Sequence, residues 1–594
     1  MKYPILSELY TSREMVDVFR GYNHNLRIGE GEFYEMTNLS SDNYPILSPR
    51  PKRGIYATPD NPHGMVAKDA LCYVDGNDFI INEYRVNMGL DPNTPKTLIS
   101  MGAYVIIMPD KKYINTADLS DYGPIEAKVE TSESTTFELC TVDGVAYQNT
   151  VTSSKAPTIT EKMESGEETI PMWIDTSETP HQLKQYSTTS AMWSAIATTY
   201  IKISSFGIGL PFSVNDGVTI SGVEDASLAD LNSSIVIWAK DDRRGDNNEK
   251  ISNWIVVTGI LDKVISQDKP IKITRQMPEM DFIVESGNRL WGCRYGLQGD
   301  KIVNEIYASK LGDFRNWTCY MGISTDSYAA SIGTDGQFTG AITHLGYPIF
   351  FKENFMHKVY GNYPANYQIQ TTACRGVQKG CARSLAIVNE VLYYKARSGI
   401  CAYDGSLPVE VSSVLGDVSY HSAVAGSLGN KYYISMADNN EQYHLFVYDT
   451  LKGMWHREDD TQAIEFCNCR GNLYYIDHAD KSIKAVRELE LKEGKPIKWE
   501  AVTGVLGTDS PDKKYISRID VRMKLDVGSR VTFFAEYDSS GEWEYLFAMT
   551  GKNLQSFAVP VRPQRCDHLR LRIVGTGDAK IYSICKTIEQ GSDV

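Results

Sequence analysis

Apolar residues in this chain come in short runs, many of them aromatic, and a small or polar turn stands just before each run. The pattern reads Gly287-Asn288-Arg289-Leu290-Trp291, Gly346-Tyr347-Pro348-Ile349-Phe350-Phe351 and Asn389-Glu390-Val391-Leu392-Tyr393-Tyr394. It returns as Gly429-Asn430-Lys431-Tyr432-Tyr433-Ile434 and Gly471-Asn472-Leu473-Tyr474-Tyr475-Ile476. Gly-Asn and Asn-Glu suit tight hairpin turns, and the run after each turn is predicted to be a buried inner strand. Successive turns lie 59, 43, 40 and 42 residues apart. That is the period of four-stranded propeller blades.

Two earlier strand pairs fit the same scheme. One runs from Ala70 to Ile81 around Asp75-Gly76-Asn77, the other from Tyr104 to Asn115 around Pro109-Asp110-Lys111. Between residues 120 and 275 the pattern changes. Thr131-Ser132-Glu133-Ser134-Thr135-Thr136 is Ser/Thr/Glu-rich, and Asp241 to Asn248 is a charged loop. Phe212 to Gly222 and Asn253 to Gly259 still read as strands, so this stretch is predicted to be an inserted small β-barrel. Beyond residue 500, Ile519 to Leu525 and Leu569 to Ile573 alternate strictly, and Tyr537 to Trp543 reads as strand, turn, strand; a separate β-sandwich is expected there. At the other end, the prolines of Tyr44-Pro45-Ile46-Leu47-Ser48-Pro49-Arg50-Pro51 rule out a helix and favour an extended arm.

The expected fold is therefore mainly β, a β-propeller with an inserted small β-barrel and a C-terminal β-sandwich. The expected plan is an N-terminal arm over 1–54, first blades over 55–119, the insert over 120–275, the remaining blades over 276–500 and the sandwich over 501–594. The chain between arm and sandwich, less the insert, suffices for six or seven blades, eight requiring part of the arm or the C-terminal region; the ring must close, and an early strand completing the last blade is one way to do so.

Composition sharpens this picture. The 36 tyrosines and 46 glycines are what short strands and tight turns consume. The net charge of −15 (60 basic against 75 acidic residues) argues against a protein whose main task is to grip nucleic acid. It leaves room for a wall past which DNA slides, since an acidic surface keeps a polyanion from sticking. Met1 to Ser7 lack a signal-peptide core and no apolar window is long enough to span a bilayer, so no membrane insertion is expected. The eleven cysteines are scattered; only Cys467 and Cys469 are close, and no zinc spacing occurs. Free thiols and no metal or cofactor are expected.

Catalytic signatures are scarce in the chain. His456 after Trp455 and His568 after Asp567 read as hydrogen-bonded structural residues. Ser309 to Trp317 has the residues of a sialidase hairpin in the wrong order, and reads as a blade turn whose Trp packs between sheets. In Tyr448 to Trp455, Asp449 is expected to cap a turn and Trp455 to pack. The pairs Asp241-Asp242 and Asp459-Asp460 are expected to be solvated, with no opposing carboxylate for glycoside hydrolysis. Arg565 and Asp567, in Arg562 to His568, are expected to organise a loop or a subunit contact. No catalytic, cofactor-binding or metal-binding residue is assigned, and the chain is expected not to be an enzyme.

Three stretches carry a family resemblance: Gly31 to Arg53 with Asn38-Leu39-Ser40 and Ser48-Pro49-Arg50, Tyr448 to Trp455, and Pro563 to Leu571 with the terminal Gly591-Ser592-Asp593. Together with the domain order, the chain resembles the tail nozzle or hub proteins of short-tailed bacteriophages, also called packaged-DNA stabilisation proteins. The resemblance implies a structural virion protein, assembled in the bacterial host cytoplasm as a ring, expected to be a hexamer. It would meet the portal and adaptor and tail fibre or spike proteins, hold the packaged genome, and open for passage of double-stranded DNA. The alternative is a receptor- or carbohydrate-binding propeller of a phage or cell surface.

Overall fold

The computed structural model describes residues 11–245, 247–487, 496–507, 513–561 and 565–590. Of the stretches singled out above, Met1 to Ser7, Asp246, Arg562-Pro563-Gln564 and Gly591 to Val594 lie outside the described residues.

The aromatic runs are the second strands of four-stranded antiparallel sheets, each entered through the small turn that precedes it. At Gly287 and Asn288 φ is 62° and 59°, and at Asn389 and Glu390 it is 48° and 68°. Two successive left-handed residues make the tight turn whose twist matches that of the strands, hence Gly and Asn at these positions. Seven such sheets are present. Their first strands are Pro62–Ala67, Thr97–Met101, Phe282–Ser286, Phe338–His344, Ala386–Val388, His421–Leu428 and Ala463–Cys469. These strands lie side by side in that order, the fourth reaching the fifth blade through the short helix Ala382–Ser384, and the seventh returns to the first. The molecule is thus built on a closed seven-bladed propeller. The seventh blade takes its outer strand, Gly54–Ala57, from the end of the arm, paired with Ile483–Ala485.

The turns do a second job. Ser286 Oγ donates to Gly346 O at 3.0 Å, His344 Nε2 lies 2.6 Å from Glu390 O, and Asn389 Nδ2 donates to Asn430 Oδ1 at 3.0 Å. Asn468 Nδ2 donates to Ser427 O at 2.8 Å, and the Arg470 guanidinium to Asp69 O. Each bond crosses from one blade to a neighbour, so polar turn residues latch the ring on one face while apolar side chains fill the spaces between sheets.

The last strand of the second blade is Tyr122–Pro124, so the insert begins after it, a few residues later than the pattern change at 120. Its two main sheets share one core, in which Phe137, Ile201, Ile203, Ile255 and Val257 face Val218, Ile220 and Ile273. No ladder joins those sheets among the described residues, so the expected barrel is corrected to two sheets closed only by packing. The short helix Ala226–Leu231, which connects two paired strands of one sheet, adds Leu228 and Leu231 to that core. Arg275 and Asp216 form an ion pair buried where the insert meets the propeller, and Asn316 of the third blade donates to Asp216 at 3.0 Å.

In the C-terminal sandwich, Lys514–Tyr537 is one long strand with alternate residues buried along both halves. Its first half pairs with Ala579–Gln590 and its second with Leu569–Thr576, while Glu544–Val559 covers the other edge. Val527, fully exposed between the halves, marks the bend. The arm is not a free extension. Thr11–Val16 pairs with Ala579–Gln590, Glu32–Thr37 with Lys498–Thr503, and Gly21–Tyr22 with both Glu32–Thr37 and the sixth blade at Trp455. One thirteen-stranded sheet therefore runs from the sixth blade through the arm into the sandwich. No described helix is long and apolar enough to cross a membrane.

Candidate functional site

The stretches that carry the resemblance converge at the junction of arm, sixth blade and sandwich. Leu39–Ser40 pairs with Ser48–Pro49 in a small ladder. Asn38, at φ 57°, sends Nδ2 to Lys498 O at 2.8 Å and accepts from Arg50 Nε at 2.7 Å. Ser41 Oγ donates to Asp449 at 2.6 Å, and Asp449 accepts from Lys452 N, as a turn cap does. Trp455 donates through Nε1 to Val411 O at 2.8 Å and stacks on Tyr448 with ring centres 4.8 Å apart. Its side chain is packing, with no face left for a ligand.

Asp459, expected to be solvated, is instead bound by Arg53 at 2.9 Å and Arg50 at 3.3 Å, and these cations hold its carboxyl low despite burial. Glu458 accepts from Arg53 at 2.7 Å. Asp459 is half-buried; Asp241 is buried, paired with Arg243 at 2.7 Å. Both corrections have one cause: an arginine close in space accepts the charge that the loop context assigned to water. His456 is buried and its imidazole is pushed down to about 3, chiefly by desolvation. His568 contacts Asp567 at 3.2 Å and Ser539 at 2.8 Å in a loop where Asp538 accepts from Asp567 N at 2.7 Å. Trp317 donates to Phe314 O at 2.9 Å, a turn packed between sheets. All eleven cysteines are free; burial pushes the Cys72 and Cys140 thiols up to about 12. Among the described residues no cluster of His, Cys, Asp and Glu is placed to hold a metal.

Two features were missed because their residues are far apart in the chain. One is the propeller axis. Arg383, on the short helix that leads into the fifth blade, donates to Ile464 O of the seventh blade at 3.0 Å and to Lys96 O beside the second at 3.2 Å. Those blades are not neighbours, so the guanidinium crosses the centre of the ring. Beside it Glu465 accepts from Met65 N at 2.9 Å, and burial pushes its carboxyl up to about 7, with Arg383 opposing. Glu285 and Glu465 are the carboxylates on the seven first strands.

The other is a cleft of about 370 Å³ at the arm junction. Tyr22 and Glu35 from the arm face Tyr420, Asp438, His444 and Arg457 from the sixth blade. Arg457 Nε donates to His444 Nδ1 at 3.2 Å, which leaves Nε2 to donate to Asp438 at 3.3 Å.

No protein-family model and no curated protein matches this chain. Similar solved structures exist. An exo-β-1,3-galactanase from Phanerochaete chrysosporium is 8% identical over 51% of this chain and 94% of its own, with a TM-score of 0.21. The extracellular domain of a one-component system from B. thetaiotaomicron is 10% identical over 92% and 97%, with a TM-score of 0.23. The acylaminoacyl peptidase of Pyrococcus horikoshii is 11% identical over 54% and 55%, also at 0.23. Two are enzymes and one of those is a glycoside hydrolase; none is a virion protein. This corrects the expectation that the chain is not an enzyme. An empty motif inventory excluded only local signatures, whereas a propeller can assemble a site from strands of many blades, and the exclusion no longer stands.

Proposed function

We propose that this β-propeller protein is a structural subunit of a virion tail, a nozzle or hub ring below portal and adaptor that retains the packaged genome and opens for ejection. The observation that carries the reading is the laced arm. Residues 11–57 bind sandwich, sixth blade and seventh blade in turn, which welds two domains into one stiff body suited to repeated contacts around a ring. Arg383 bridges blades across the propeller centre, so the DNA path in this reading runs between subunits along the assembly axis. The acidic balance suits a wall that DNA passes without adhering. Electron microscopy of the purified chain, alone and mixed with portal and adaptor, tests it. Closed rings that cap the adaptor are expected; a monomer that docks to neither overturns the reading.

A second reading, a receptor- or carbohydrate-binding propeller, is favoured by the cleft at the arm junction, where aromatic rings and unspent polar groups meet. Glycan arrays separate the two, because a nozzle has no call for selective sugar binding.

A further inference from the structure

We infer that the cleft at the arm junction is a binding site for a neutral polyhydroxy ligand of one or two sugar units. This deepens the carbohydrate-binding reading and rests on it. Tyr22 and Tyr420 line the cleft, each only 7% exposed. Neither hydroxyl has a hydrogen-bond partner among the described residues, and neither is sealed in the interior, so both are open to a ligand in the cleft. Desolvation pushes Tyr420 up to about 12 and Tyr22 higher, so both stay protonated and offer a donor as well as an acceptor.

The rings are held in place. Tyr22 stacks on His24 at 5.8 Å, and both Tyr22 and Tyr420 pack against Phe446, at 5.6 and 5.5 Å. Such a preformed wall costs a ligand little ordering entropy. The volume of about 370 Å³ falls within the range of small-ligand sites.

Charge selects the ligand class. Arg457 is the cation in the cleft, and three of its five N–H donors are taken, by His444, by Thr37 at 3.2 Å and by Asp460. Glu35 is exposed on the rim with no partner among the described residues and Asp438 adds to the same sign, while Glu500 is paired with Arg572 at 2.7 Å. A phosphate or carboxylate would meet the unpaired Glu35, and the cation in the cleft already serves Asp460. An apolar ligand would leave two tyrosine hydroxyls unpaired. Sugar hydroxyls satisfy both, donating to the carboxylates and pairing with the tyrosines.

The full chain is first screened on a glycan array. Saturation-transfer NMR and calorimetry then follow with the best monosaccharide and disaccharide, and with putrescine as a cationic probe. Tyr22→Phe and Tyr420→Phe should each weaken sugar binding about tenfold, the loss of one hydrogen bond. Glu35→Gln, at an exposed site where folding is not at risk, should weaken it several-fold, and Tyr363→Phe on a distant exposed turn should not. Sugar binding that all three cleft variants leave unchanged overturns the cleft assignment alone and leaves the carbohydrate reading standing. No sugar bound on the array, or putrescine bound in place of sugar, overturns both.

Discussion

At the scale of single residues, function and stability turn on groups held in unusual surroundings. Glu465 beside the propeller axis has a carboxyl raised from its ordinary 4.5 to about 7. Between those values the folded state keeps a proton that the unfolded chain has released, so stability falls as pH rises through that window. Glu465→Gln keeps the oxygen that accepts from Met65 N and removes the charge. It should stabilise the protein by about 1 kcal/mol at pH 8, after solvent screening, and change little at pH 4.5. Thermal melts at the two pH values check this, and equal gains at both would refute it. Gly21 shows the opposite sensitivity. At φ 86° its α-carbon lies against the Trp455 carbonyl, where a Cβ has no room. Gly21→Ala should cost about 1–3 kcal/mol and free the arm, read as faster proteolysis before residue 31 with the propeller intact.

At the scale of elements, the insert is the part with its own core and few ties to the rest. Its attachment depends on Asp216, which binds Arg275 and Asn316 together. Asp216→Ala leaves Arg275 buried and unpaired, and should cost about 3–5 kcal/mol. Calorimetry should show that loss in the insert's transition, with the propeller's midpoint unmoved. A uniform shift of the whole profile would mean that insert and propeller are one cooperative unit. The blades behave differently, because each closes its neighbour. The strand Gly54–Ala57 is supplied from outside the seventh blade's own sequence, so the ring closes only after arm and last blade have met.

At the scale of the whole molecule, one core runs through arm, fourth to sixth blades and sandwich. These parts should melt together. Acid should weaken them together as well. His357 and His456 are held neutral by burial, with imidazoles pushed down to about 4 and about 3 from 6.5. As pH falls below 6.5 the unfolded chain takes up protons that the folded one refuses, so stability drops across that range. A flat unfolding free energy between pH 6.5 and 4, once the titration of carboxylates is subtracted, would contradict this. The same continuity bears on the tail reading, since a force applied to the sandwich passes to the blades through paired strands and not through a flexible linker.

Sequence alone determined the strands, because period and turn chemistry are local. Gly287-Asn288 and Asn389-Glu390 could be placed as hairpin turns from residue type, and alternation from Ile519 to Leu525 marked a half-buried strand. It also bounded the blade count, since length divided by period leaves few choices. Only the tertiary structure decided what those elements meet. Arg53 with Asp459, Asn316 with Asp216, Arg383 with Ile464 and Tyr22 with Tyr420 are joined across long separations or between domains, and no local pattern records them. Burial, pKa and site geometry depend on such encounters, so the scaffold was legible in the chain and the cleft was not.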